Sequence, residues 1–360
     1  MNSMTVGIDL AKNCFEVAVA DEHYRIQQRQ RLTRSRFVKF IGNLPQCLVV
    51  MEACGSAHYW ARVLQGQGHE VKLLPAQHVR AYVRRNKTDA ADAAALIEAS
   101  RCEEIKAVPV KSCDQQGMQQ LHRIREQFKQ TRNARVNLLR GMLREYGIDV
   151  PKGIQRGQVV IREALECADN GVPDVVRPYI ETLLQEMRGL QEQMATVEES
   201  LAALAREDAV VQRQLRNPGV GLITATAFRA SVVDMQRFDS GRQFSNWLGL
   251  TAKEHSSGEK RRLGSISKHG DVYLRTLLVH GARSALRAAT AAHKRGKPLD
   301  RLRTWALQTQ ARVGHNKATV ALANKLARII WATWKYERTF DGNWGLRSAQ
   351  AAVAIPGATA

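Results

Sequence analysis

The tightest constraint on the fold lies in the first fifty residues. Residues 5–10, Thr-Val-Gly-Ile-Asp-Leu, are an apolar run broken by one carboxylate, Asp9. Residues 15–20, Phe-Glu-Val-Ala-Val-Ala, alternate as a half-buried strand does. A short gap containing Lys12 and Asn13 separates the two, which predicts a hairpin, and a third strand is expected within 24–32. Residues 47–51, Cys-Leu-Val-Val-Met, are apolar throughout and suit a buried central strand. That run also ends in a carboxylate, Glu52.

The pattern continues with a helix over 35–43, a strand over 48–51 and a helix over 57–66, closed by Gly66, Gln67 and Gly68. A strand over 70–74 stops at Pro75; helices follow over 77–85 and 89–101, with an extended connector at 108–110. The order β-β-β-α-β-α-β-α is that of the ribonuclease H fold, a mixed sheet covered by helices. The Ala-rich helix at 89 opens with two further carboxylates, Asp89 and Asp92, three residues apart and so on one face.

The rest reads as helical. Residues 115–146 form a long basic helix carrying Arg123, Arg125, Lys129, Arg132, Arg135, Arg140 and Arg144. A second helix over 175–207 has a seam at Ile180, Leu183, Met187, Leu190, Met194, Val197, Leu201 and Leu204, spaced as heptads. Such a seam needs a partner, either a hairpin within the chain or a dimerising coiled coil. Asn217-Pro-Gly-Val-Gly221 resembles a helix-hairpin-helix turn, whose N–H groups can meet a phosphate. Residues 222–250 read as helical, with Phe238, Phe244, Trp247 and Leu248 as core. Residues 251–270 are polar, basic and Gly/Ser-rich, a long loop of the functional or disordered kind. Helices follow over 271–292 and 317–337. The expected domains are 1–112, 113–212, 213–340 and a disordered tail at 341–360. The fold class is α/β plus all-α.

Lys and Arg total 54 against 34 Asp and Glu, a net charge of +20. A field of that sign favours a polyanion, most plausibly nucleic acid. No apolar run reaches 18 residues and no signal segment is visible, so neither a membrane span nor secretion is expected. The six cysteines form no CxxC pair, which argues against a zinc site or a disulfide framework and suits the cytoplasm.

Asp9, Glu52, Asp89 and Asp92 are therefore expected to converge at one sheet edge. Carboxylates crowded together repel unless cations sit between them. Phosphodiester chemistry uses two Mg²⁺ ions to neutralise the attacking and leaving oxygens, and Mg²⁺ prefers hard oxygen ligands; Mn²⁺ is an alternative. Lys87, Arg132, Arg135, Lys260, Arg261, Arg262 and Lys268 are the expected nucleic-acid contacts.

Several blocks together resemble one family: Gly7-Ile-Asp-Leu-Ala-Lys12, Met51-Glu-Ala-Cys-Gly55, Arg85-Asn-Lys-Thr-Asp-Ala-Ala-Asp92, Pro218-Gly-Val-Gly221, Gly249-Leu-Thr251, Ser257-Gly258 and Ser267-Lys-His-Gly270. The chain resembles the DEDD insertion-sequence transposases, insertion-sequence family one-hundred-ten, understood as bridge-RNA-guided recombinases. The resemblance implies a RuvC-like N-terminal domain with an Asp-Glu-Asp-Asp metal set, a coiled-coil middle and a C-terminal transposase domain with a nucleophilic serine. On the family pattern that serine is Ser257, although Ser256 adjoins it. It also implies donor and target DNA, a guide RNA and assembly as a homodimer or homotetramer, with one protomer's RuvC-like domain meeting another's serine. Ala252 departs from the family, many of whose members have Pro there. The alternative reading is a RuvC-like structure-specific nuclease that uses metal-activated water. His255 and His269 are candidate general bases.

Overall fold

The computed structural model describes residues 4–82, 89–257 and 260–343, with only the backbone given for 89–91. It divides into two compact units, Met1–Cys113 and Asp114–Ala360.

The first unit runs β1 (Thr5–Leu10), β2 (Cys14–Ala20), β3 (Ile26–Thr33), α1 (Arg34–Gly42), β4 (Leu48–Glu52), α2 (Ala57–Gly66), β5 (Glu70–Leu74), α3 (Ala76–Val79) and α4 (Asp89–Ser100). The sheet order is β3-β2-β1-β4-β5. β1 pairs antiparallel with β2 and parallel with β4, and β5 is parallel to β4. This is a mixed sheet with β1 at its centre.

Its two faces follow the strand period of two. Val6, Ile8, Phe15, Val17, Val49 and Met51 pack with Phe37 and Ile41 of α1 and Trp60 and Leu64 of α2. Phe15 stacks on Phe37 at 4.4 Å, with Trp60 edge-on to both. The opposite face carries small residues, Gly7, Ala18 and Ala20, and α4 lies on it. Of the helix expected over 77–85, the described part is the single turn α3 followed by a 3-10 turn at Arg80–Tyr82, and 83–85 lie outside the described residues. Val79 is the one buried side chain of those two turns, so little apolar burial supports a regular α-helix over 76–82.

The second unit begins with α5 (Cys113–Arg144), α6 (Ile154–Glu166) and α7 (Arg177–Glu207). α8 (Ala209–Gln214), α9 (Leu222–Ser231), α10 (Gly241–Trp247), the strands β6 (Ala252–Glu254) and β7 (Leu263–Ile266), α11 (Val272–Lys294), α12 (Arg301–Val313) and α13 (His315–Lys335) complete it. Its largest core joins Phe228, Phe244, Leu248, Leu278, Leu322 and Leu326.

α5 and α7 pack antiparallel within the chain. Val136, Leu139 and Leu143 cluster with Ile180, Leu184 and Met187, while Met118 clusters with Val197 and Leu201. Arg125 donates to Glu198 at 2.6 Å and Arg135 to Glu186 at 2.7 Å, the same sense of pairing. The expected seam is corrected in detail: Leu184 and Ala205 are buried, whereas Leu204 is 43% exposed. A straight α-helix drifts about 20° per heptad, so a strict heptad stripe walks off the contact line.

The helix expected over 222–250 is interrupted. Val232 ends α9 in extended backbone, and Ser240 caps α10 by accepting from the Gln243 N–H at 3.2 Å. The sequence reading did not assign α6 or α12, and it read the ribbon β6–β7 as loop. Every residue of β6 and most of β7 are exposed, so no apolar alternation marks them.

Candidate active site

Strand alternation decides where the carboxylates go. Ile8 pairs with Met51, so Asp9 and Glu52 are next in line as the two parallel strands end. Asp9 has the parity of Gly7, and Glu52 that of Leu48 and Val50, which pack with Leu96 and Ala99 of α4. Both carboxylates therefore leave the sheet on the face that α4 covers, from strands about 4.8 Å apart. The Cys54 thiol senses both: burial pushes its pKa up, and the charges of Glu52 and then Asp9 push it further.

α4 approaches β1 closely because residue 7 has no side chain. A Cβ at Gly7 would lie 2.3 Å from the Ala93 carbonyl oxygen and 2.9 Å from Ile97 Cγ1. Leu96 and Ala99 pack with Leu48, near the start of β4, so the first turn of α4 lies toward the end where Asp9 and Glu52 emerge. That turn carries Asp92, immediately before Ala93 and half-buried. The side chain of Asp89, and Lys87 altogether, lie outside the described residues. Among the described residues, no three His, Cys, Asp or Glu side chains stand close enough together to hold a metal. What the sheet brings to one edge is Asp9 and Glu52, with the turn of Asp92 on the same face.

The second candidate element is the ribbon β6–β7. Its feet are the two Gly-containing blocks, packed backbone to backbone. Gly249 and Gly270 have φ of +70° and +91°, and a Cβ on either would meet a carbonyl oxygen at 2.0 Å, that of His269 and of Trp247 respectively. The Ser267 N–H donates to the Thr251 carbonyl at 2.8 Å and the Lys268 N–H to that of Gly249 at 3.1 Å. Arg275 donates to the carbonyls of Leu248 and His269, and Asn324 to that of Leu250. The sequence reading missed these two anchors, because neither sits in a motif and their role depends on carbonyls far away in the chain.

At the ribbon's tip the two serines differ. Ser256 Oγ donates to Glu254 Oε1 at 2.8 Å and accepts from the Arg262 N–H at 3.1 Å. Ser257 is exposed, its carbonyl accepts from the Lys260 N–H at 3.3 Å, and its hydroxyl has no partner among the described residues. The Ser256 hydroxyl, first, and Arg261 at 3.3 Å hold the Glu254 carboxyl below its ordinary pKa. Lys260, Arg262 and Lys268 are exposed, and Gly258 lies outside the described residues.

The basic helix is less bare than its composition suggests. Arg135 is tied to Glu186, and Arg132 is part-buried, its Nε lacking a hydrogen-bond partner among the described residues. Burial, and then the charge of Arg125, lowers the Arg132 pKa. Gly219, in the Pro-Gly-Val-Gly block, has φ +73° and abuts the Gly281 carbonyl of α11, so its immediate role is helix packing.

Residues 6–148 match the profile of a DEDD transposase of the IS110 type, and residues 212–297 match that described as transposase, IS116/IS110/IS902 family. A Pseudomonas aeruginosa protein named probable family 20 transposase is 41% identical, over 94% of this chain and 99% of its own. The Coxiella burnetii transposase for insertion sequence element IS1111A is 38% identical, over 93% of this chain and 90% of its own. The Yersinia enterocolitica transposase for insertion sequence element IS1328 is 36% identical, over 92% and 96%. The chain belongs to the IS116/IS110/IS902 family of transposases and carries that family's DEDD domain, which makes DNA its substrate.

Proposed function

We propose that this transposase is an RNA-guided DNA recombinase that excises and inserts its own mobile element through a serine nucleophile. The sheet order β3-β2-β1-β4-β5, with β2 antiparallel to its neighbours, supports a ribonuclease H-like, RuvC-type first unit. The shared parity of Asp9 and Glu52 beneath α4 carries the reading of an acidic site. All-oxygen donors fit a hard divalent cation, which DEDD domains typically use, and Mg²⁺ is the one we assign. Asp9, Glu52, Asp89 and Asp92 would hold it, where it would neutralise charge on the phosphate.

Ser257 is the nucleophile in this reading. Its hydroxyl is uncommitted, whereas that of Ser256 is used on both sides by the ribbon. Ser257 Oγ forms a bond to phosphorus as the bond to the departing sugar oxygen breaks. The serine proton leaves to a nearby base and the departing oxygen gains one. The phosphoserine link retains the bond for rejoining to the incoming strand's hydroxyl. Lys260, Arg261, Arg262 and Lys268 would neutralise the phosphate backbone, with Lys87, Arg132 and Arg135 as further contacts. The guide RNA and assembly as a dimer or tetramer rest on the family resemblance. Exposed Leu138 and Tyr179 on the long helices, 49% and 67% accessible, add support for association.

The test is a denaturing gel of end-labelled DNA incubated with Mg²⁺ and the protein co-expressed with its element's RNA. Wild type should leave protein attached to cleaved DNA. Ser257→Ala should abolish the adduct, and Ser256→Ala should weaken but not abolish it. Cleaved ends free of protein would instead favour the structure-specific nuclease that uses water.

A further inference from the structure

Both matched profiles end before residue 298, yet the C-terminal helices beyond it build a cavity of their own. It lies between α12, α13 and the segment 336–342, with a volume of about 440 Å³. That is within the range of small-molecule sites, about 300–1,000 Å³. Its wall combines three rings, Trp305, Tyr336 and Phe340, with three cations, Arg301, Lys325 and Arg338. The Lys325 ammonium sits 4.2 Å from the Trp305 ring centroid, and the Arg338 guanidinium 5.3 Å from that of Tyr336.

We propose that this cavity binds an unpaired nucleotide of a nucleic-acid strand, its base on the aromatic wall and its phosphate on the cations.

Two features carry the assignment. Among the described residues, the lining sets Arg301, Lys325 and Arg338 against one carboxylate, Asp341, which gives the wall a net positive charge. Lys325 makes no ion pair with a described residue, and burial together with Arg301 and Arg328 nearby depresses its pKa. Lys325 is half-buried and Arg301 and Arg338 are exposed beside it, and like charges brought this close draw an anion between them. The rings argue against a bare anion as the natural occupant: Tyr336 is 51% exposed, and an inorganic ion would leave that open aromatic surface without a partner. A base with its phosphate uses both features, the pairing by which single strands are bound on stacking platforms in cationic grooves. Asp341 adds an acceptor for a base amino group or a sugar hydroxyl. A duplex presents its bases already stacked and paired, so only an unpaired position can enter.

The proposal takes from the transposase reading only that nucleic acid is the partner. Its test is binding, not cleavage, so the two can fail separately. Fluorescence anisotropy of the full chain would compare a short single-stranded DNA, the RNA of the same sequence and the matching DNA duplex. Tyr336→Ala and Lys325→Gln are the working variants, because Trp305 packs against the core and its loss can unfold the region. Each should weaken single-strand binding about five-fold or more while changing duplex binding less than two-fold. Gly42→Ala, at the end of α1 with nothing within 4 Å of the added carbon, should leave all three affinities unchanged. Comparison of the DNA and RNA arms identifies which strand the site prefers. Strands substituted with 5-iodouracil should crosslink under ultraviolet light to Trp305 or Tyr336. Unchanged single-strand affinity in both variants, or an equal loss for single strand and duplex, overturns the proposal; inorganic phosphate displacing the strand at low millimolar concentration does so too.

Discussion

Replacing Gly7 by alanine tests the reading of the acidic edge without touching a carboxylate. The new methyl would stand 2.3 Å from the Ala93 carbonyl oxygen, where ordinary contact begins near 3.4 Å, so α4 must retreat by about 1 Å. The obstruction is backbone, and no side-chain rotation relieves it. Forced overpacking of this kind costs about 1–3 kcal/mol. In a unit of this size that lowers the melting temperature by about 10 °C. The retreat also carries Asp92 away from the strand ends, and a 1 Å misplacement at a reacting centre costs about 100-fold in rate. Thermal melts followed by circular dichroism, with Mg²⁺-dependent cleavage of labelled DNA, measure the two effects. Gly42→Ala is the matched control. It ends α1 with nothing within 4 Å of the added carbon, and should be neutral or slightly stabilising. If Gly7→Ala melts and cleaves like wild type, the close seating of α4 on β1 is wrong, and with it the geometric case for a site beneath that helix.

Two further outcomes are expected. His122 is buried between the Tyr273 hydroxyl at 3.1 Å and the Thr226 hydroxyl at 3.0 Å, and burial, helped by the charge of Arg125, depresses its pKa to about 4. The unfolded chain takes that proton near pH 6.5, so stability is full above 6.5 and is lost as the pH falls toward 4, by about 3 kcal/mol at most. Melts between these limits should show a flatter pH slope for His122→Gln, and an unchanged slope refutes the assignment. Gly270→Ala places a methyl 2.0 Å from the Trp247 carbonyl at a φ of +91°, which should distort the foot of the ribbon. The DNA adduct should fall at least ten-fold while far-UV circular dichroism stays as in wild type; normal adduct yield would detach the ribbon from the chemistry.

The carboxylate pair shows how far local reasoning reaches. Asp9 and Glu52 each end an apolar run, and a strand's period of two fixes the face each must take once its buried neighbours are known. The heptad seam was legible as a need for a partner, but not the choice of partner. That choice was made by α5, whose Arg125 and Arg135 meet Glu198 and Glu186 on the returning helix. The ribbon that holds Ser257 left no trace in hydrophobic pattern, because both its faces meet water. Its position is set by carbonyls of Leu248, Leu250 and His269 held from α11 and α13.

The sequence by itself determined the succession of strands and helices in the first unit, the acidic and basic character, and the family, since each follows from residue types and short motifs read along the chain. Only the tertiary structure decided that Ser256 is spent on the ribbon while the Ser257 hydroxyl has no partner among the described residues. It alone gathered three rings and three cations from α12, α13 and the segment after them around one cavity. The physical reason is the same in both cases: hydrogen-bond commitment and the crowding of like charges depend on distances between residues remote along the chain, which no local pattern encodes.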